Sequence, residues 1–247
     1  MNRDGKKLVG RRIVVTGAAS GMGEGIARLF SSEGANLTLV DIDAERLASL
    51  AKELRAKNAV CDVSSEREVN TAVDSAARSM GGIDGLVNVA GILVRKQVRE
   101  TGYDDFQRAV GVNLAGPFLM CRAALKHLEA AEAATIVNIA SLAGLRSQPG
   151  MAVYSATKAG LVAFSEAFSG ELGPTVRINT ICPGVIRTPM IDFMFEAQES
   201  DGSVKNLNRA ARPGTAEDVA RACLFLTSPD SNFTSAATLA VTGGHFR

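Results

Sequence analysis

Arg12-Ile13-Val14-Val15-Thr16-Gly17-Ala18-Ala19-Ser20-Gly21-Met22-Gly23 is the stretch on which the reading of this chain turns. Four β-branched or hydroxyl residues in a row, apolar on both faces, predict a strand covered from two sides. The strand ends in a glycine-rich turn, and Ile26, Leu29 and Phe30 then recur at helical spacing, so the turn opens a helix. Backbone N–H groups at such a helix start can approach a pyrophosphate closely, and the helix dipole favours the negative charge. The spacing departs from GxGxxG, because Ile26 stands where a third glycine would be.

Working outward, short β-branched runs alternate with helical periods along the whole chain. Strands are predicted at Arg12–Thr16, Asn36–Asp41, Ala59–Asp62, Gly85–Val89, Thr135–Ala140, Arg177–Ile181 and Thr238–Val241. Helices are predicted to begin near Gly21, Ala44, Glu66, Tyr103, Met151 and Thr215. Right-handed crossovers turn this alternation into a doubly wound α/β architecture, a Rossmann-like seven-stranded parallel sheet with helices on both faces. No Pro/Gly/Ser-rich linker interrupts residues 1–247, which therefore read as a single domain. One segment breaks the rhythm: residues 188–212, carrying Met190, Ile191, Phe193, Met194 and Phe195, are predicted to be a substrate lid inserted over the crevice.

Charge and composition narrow the function classes. With 27 Lys+Arg against 26 Asp+Glu and no basic run, nothing draws nucleic acid or an anionic membrane. No apolar stretch approaches a membrane span and the N-terminus is polar, so a cytoplasmic location is expected. Cys61, Cys121, Cys182 and Cys223 are scattered, with His127 and His245 the only imidazoles; the cysteines read as buried thiols, and no metal site is expected.

Two constellations carry chemistry. Asp41 ends the second strand, 18 residues beyond Gly23, where a carboxylate can accept from both hydroxyls of an adenosine ribose; capping the next helix is its competing role. A carboxylate there repels a 2′-phosphate, and none of Ala18, Ala19, Ser20 and Met22 is a cation, so NAD is favoured over NADP. Further on, Tyr154 and Lys158 stand at i and i+4, projecting from one helix face, with Ser141 thirteen residues upstream at a strand end. A phenol with an ordinary pKa near ~10 becomes a usable base beside an ammonium and an oxidised nicotinamide, both of which would lower it.

In this arrangement the sequence resembles the short-chain dehydrogenase/reductase family over nearly its whole length. Thr16–Gly23 matches TGxxxGxG; Cys61-Asp62-Val63 matches the segment whose aspartate contacts adenine; Asn88-Val89-Ala90-Gly91 matches NNAG with valine for the second asparagine. Pro183-Gly184-Val185-Ile186-Arg187-Thr188 matches PGxxxT, which holds the nicotinamide carboxamide, and Asn113, Ser141, Tyr154 and Lys158 match the catalytic tetrad. The resemblance implies that Tyr154 exchanges the proton with the substrate oxygen, Ser141 hydrogen-bonds that oxygen, Lys158 holds the nicotinamide ribose, and Asn113 binds a relay water. It also implies cofactor contacts from Gly17, Ser20, Gly21, Met22, Gly23, Asp41, Ile42, Asp62, Val63, Asn88, Ala90, Gly91, Pro183, Gly184, Ile186 and Thr188. Thr234-Ser235 and Thr242-Gly243-Gly244 depart from the usual Thr-Gly and Asp-Gly-Gly near the C-terminus, a change expected to bear on assembly.

The expected reaction is NAD-linked interconversion of a secondary alcohol and a ketone. Ile92, Leu93, Val94, Leu145, Met151 and the lid predict an apolar substrate of moderate size, while Arg95, Lys96 and Arg146 offer steering for an anionic acyl carrier or coenzyme A substrate. The alternatives are a 3-oxoacyl-thioester reductase and a non-catalytic NAD-binding regulator; enoyl reduction is disfavoured by the short Tyr-to-Lys spacing. Apolar residues around much of helix 151–172 predict a homo-oligomer, a tetramer or dimer.

Overall fold

The computed structural model describes residues 5–192, 195 and 209–244. Seven strands form one all-parallel sheet: β1 (Arg12–Thr16), β2 (Asn36–Asp41), β3 (Lys57–Val60), β4 (Gly85–Asn88), β5 (Ala134–Ile139), β6 (Val176–Pro183) and β7 (Thr238–Val241), in the order β3-β2-β1-β4-β5-β6-β7. The order reverses between β1 and β4, and in a doubly wound sheet that switch point opens the ligand crevice at the carboxyl ends of the strands.

Side-chain alternation along each strand sorts the core into two layers. Ile13, Val15, Leu39, Val87 and Ile139 pack with α1 (Gly21–Ser32), α2 (Ala44–Leu54) and α7 (Ala216–Thr227). Val14, Val40, Leu86, Ile136 and Ile178 pack with α3 (Glu66–Met80) and α5 (Gly116–Glu129) on the other face, where Phe164 and Phe168 of α6 (Ala152–Ser169) join them. Both faces are covered, which is why the strands read as continuous apolar runs. The four cysteines are free, buried thiols spread through these layers.

Some boundaries move. The third strand lies at Lys57–Val60, earlier than the expected Ala59–Asp62, because it is the edge strand and its only ladder, against Thr38–Asp41 of β2, ends at Val60. Cys61 and Asp62 thus leave the sheet and bend over the crevice. β6 runs past its expected end at Ile181 to Pro183, which still pairs in register with Val241. The helix expected near Tyr103 is compound: α4 (Tyr103–Val110) passes through a π-turn, Gly111–Ala115, straight into α5. The cap of α2 is Asp43, whose side chain accepts from the Arg46 N–H at 3.1 Å, so Asp41 is not spent on capping. No helix among the described residues is long and apolar enough to cross a membrane.

Candidate active site

The turn after β1 is shaped by contacts that no side chain tolerates. Gly17 has φ +64°, and a Cβ on it would lie 2.7 Å from the Ala90 N; a Cβ on Gly23 would lie 1.9 Å from the Gly17 carbonyl oxygen. Thr16 clasps the neighbouring strand end: its Oγ1 accepts from the N–H groups of Val89 (3.0 Å) and Ala90 (3.2 Å). The two sides of the switch point are thereby held at fixed spacing.

The cleft above this turn has a volume of about 300 Å³. Of the expected cofactor residues, Gly17, Ser20, Gly21, Met22, Gly23, Asp41, Ile42, Asp62, Val63, Ala90, Gly91 and Thr188 all line it. The Asp41 carboxylate is fixed from behind, with Oδ2 accepting from the Ala19 N–H at 2.9 Å and Oδ1 from the Asp43 N–H at 3.0 Å. Asp62 accepts from both the N–H and the hydroxyl of Ser64. The cradle thus has the parts a dinucleotide needs: a helix N-terminus without Cβ obstruction, an oriented carboxylate at the far end and an apolar wall.

Other expected residues lie elsewhere. Asn88 is 2% exposed, and its Nδ2 donates inward to Asn138 Oδ1 at 2.8 Å, so it supports the cleft from the core. Ile186 is buried and bridges to Gly214, while Pro183 and Gly184 line the adjoining pocket around Tyr154. Val89, Ile92, Arg108 and Val112 line the cleft without having been anticipated as cofactor contacts; Arg108 and Val112 sit on the α4–α5 stretch, and only the tertiary fold brings that stretch to the cleft.

The adjoining pocket, about 170 Å³, holds Ser141 and Tyr154 in its wall with Leu93, Met151, Val185 and Ile191. Leu145 is 41% exposed and lies outside it. Ser141 begins a short turn in which its Oγ accepts from the Ala143 N–H at 3.1 Å. Lys158 lies behind Tyr154, 4% exposed, with Nζ donating to the Ile139 carbonyl at 2.9 Å. A Cβ on Gly91 would come 3.4 Å from that Nζ, so the ammonium abuts the end of the cleft. Asn113 is wholly buried in the π-turn: Oδ1 accepts from the Ile92 N–H at 2.8 Å, and Nδ2 donates to the Ile92 carbonyl and to Thr157 Oγ1. Its side chain therefore shapes the loop after Gly91.

Burial governs the titration of the pair. Burial pushes the Tyr154 phenol above its ordinary value, outweighing the hydrogen bond from Ser141 that lowers it. The same burial pulls the Lys158 ammonium down to about 8. Loss of hydration outweighs that hydrogen bond, so the surroundings of Tyr154 favour the protonated phenol. Of the segment expected to form a lid, Thr188, Pro189 and Met190 line the cleft, Ile191 lines the pocket around Tyr154, and Phe195 is buried with the Arg187 guanidinium 5.3 Å over its ring. Phe193, Met194 and residues 196–208 lie outside the described residues.

Residues 17–245 match the profile of a family described as enoyl-(acyl carrier protein) reductase. The cyclopentanol dehydrogenase of Comamonas sp. (strain NCIMB 9872) is 34% identical over 94% of this chain and 96% of its own. A short-chain dehydrogenase/reductase of the glucose/ribitol dehydrogenase type from Brucella melitensis superposes with a TM-score of 0.92, at 36% identity over 98% of both chains. The 3-ketoacyl-(acyl-carrier-protein) reductase of the same organism, solved with NADH, superposes with a TM-score of 0.89, at 31% identity over 96% of this chain and 98% of that one. The chain belongs to the short-chain dehydrogenase/reductase family of oxidoreductases.

Proposed function

We propose that this protein interconverts a secondary alcohol and a ketone with NAD, using Tyr154 as the general acid/base. The observation that carries the reading is the joint placement of Ser141 and Tyr154 in one small pocket, with Lys158 behind them at the end of the Asp41 cleft. NAD, when bound, supplies the hydride acceptor, and the chain supplies alignment and proton management. Ser141 hydrogen-bonds the substrate oxygen and sets its position. Tyr154 exchanges the proton at that oxygen: as a phenol it donates during ketone reduction, and as a phenolate it accepts during alcohol oxidation. Lys158 holds the ribose hydroxyls of the nicotinamide half. A relay water belongs at Asn113, whose side-chain amide is committed to Ile92 and Thr157.

The choice of NAD rests on the oriented Asp41 carboxylate. Arg28 and Arg46, the cations on the outer groove beside it, are engaged by Glu24 and Asp43 respectively. A 3-oxoacyl-thioester reductase is the second reading, favoured by the likeness to the Brucella enzyme. Enoyl reduction is disfavoured by the three-residue gap between Tyr154 and Lys158. The working form is a homo-oligomer assembled through the exposed face of α5 and α6, where Phe118, 42% exposed, meets Phe164 edge-on at 6.1 Å and Phe164 stacks on Phe168 at 5.3 Å. The test is NADH formation over linear, cyclic and acyl-thioester secondary alcohols, with NADP and Tyr154→Phe in parallel. Turnover that prefers NAD and needs Tyr154 supports the proposal; equal turnover by the variant rejects the assignment of the acid/base.

A further inference from the structure

The catalytic pocket is small and opens onto cations. Its 170 Å³ falls below the ~300–1,000 Å³ of pockets that enclose a drug-sized ligand. A pocket of this size suits a carbonyl with a short chain beside it. Arg95, on the loop after β4, and Arg146, just beyond Ser141, both line this pocket, and no carboxylate does among the described residues. Arg95 also lines an open groove that continues outward past Val94, Lys96 and Asp105. In that groove Lys96 is occupied by Asp105 at 2.6 Å, whereas Arg95 has no ion-pair partner among the described residues.

A guanidinium at the mouth of a largely apolar pocket presents a planar fork that fits a carboxylate, and it is more easily desolvated than an ammonium. We propose that Arg95 is a specificity-determining residue that receives an anionic group of the substrate, so that the substrate is a short oxo or hydroxy acid. Arg146 lines the same pocket. The proposal rests on the alcohol/ketone reading above, and it replaces a wholly apolar substrate with an amphiphilic one. The phosphates of a coenzyme A thioester lie too far from the carbonyl to be this group.

The test compares 5-oxohexanoate with its methyl ester, and both with acetoacetyl-CoA, as substrates for NADH-dependent reduction by the full-length protein and its Arg95→Gln variant. The expected result is a preference for the acid over the ester of roughly five- to tenfold in kcat/KM, carried by KM, that collapses in Arg95→Gln and at high salt. A wild-type enzyme that takes the ester as well as the acid overturns the proposal, as does a preference for the acid or for acetoacetyl-CoA that survives Arg95→Gln. If none of the three is reduced, the redox reading fails separately, and binding decides the role of Arg95. Calorimetric titration of the NADH-saturated protein with hexanoate and hexanamide must then show hexanoate favoured in wild type and not in Arg95→Gln; equal binding of the two by the wild type overturns the proposal.

Discussion

Tyr154 and Lys158 are pushed by burial in opposite directions, and both shifts favour the uncharged form. Removing the phenolic hydroxyl removes the proton carrier while leaving the ring in place. Tyr154→Phe is therefore expected to lower kcat by on the order of 10²–10⁴-fold, as measured by steady-state NADH formation, with an unchanged far-ultraviolet circular dichroism spectrum. Lys158 makes a stability prediction. Its pKa falls from 10.5 unfolded to about 8 folded, so its favourable contribution is present above 10.5 and is lost as the pH falls through about 8. Below that pH a buried ammonium costs the protein up to about 3 kcal/mol. Lys158→Met should accordingly melt higher than wild type at pH 7 without cofactor, and the gap should close as the pH approaches 10.5. A gap independent of pH would contradict the burial argument. The sequence placed both residues on one helix face through their i, i+4 spacing; the sign of the Tyr154 shift was not readable there, because desolvation depends on what packs around the hydroxyl.

Among the elements, the π-turn between α4 and α5 has the most direct bearing on the site. Gly111, Asn113 and Ala115 do not betray a change of helical pitch, and the sequence reading placed one helix start at Tyr103. The wider turn sets Asn113 where its amide can grip both the N–H and the carbonyl of Ile92, a residue that lines the cleft. Asn113→Ala leaves those two partly buried backbone groups without their side-chain partner, and a loss of about 1–3 kcal/mol is expected in denaturant unfolding. The freed loop should also raise the KM for cofactor, which a purely distant packing defect would not. At the edge of the sheet, β3 shows how a strand end is decided by its partner. Asn58 and Val60 are compatible with extended backbone either way, but the ladder against β2 ends at Val60 and releases Asp62 into the cleft.

For the molecule as a whole, the two helix layers bury the apolar faces of the sheet and leave an aromatic patch on α5 and α6 partly exposed. Phe118 on α5 carries Arg122 over its ring at 5.3 Å and meets Phe164 of α6, so the patch is rigid and amphipathic, as a subunit contact requires. If it joins subunits, Phe118→Glu places a charge at the centre of that contact. Sedimentation velocity at micromolar concentration is expected to show a smaller species than wild type; identical profiles, or a monomeric wild type, would move the interface elsewhere or remove it. The apolar residues of helix 151–172 pointed toward assembly in the sequence, but Phe118 did not stand out, because its partner ring comes from a helix more than thirty residues away.

The glycine turn after β1, the alternation of strand and helix, and the ordered positions of Asp41, Ser141, Tyr154 and Lys158 were determined by the sequence alone. Each depends on local stereochemistry or short-range periodicity, which neighbouring residues carry with them. Which residues face the cofactor cleft was decided only by tertiary structure. Asn88 turned inward to Asn138 and Arg108 turned toward the cleft, and both outcomes follow from packing between segments distant in the chain. The net titration of Tyr154 and the meeting of Arg95 and Arg146 at one pocket belong to the same class, because burial and convergence are properties of the assembled layers.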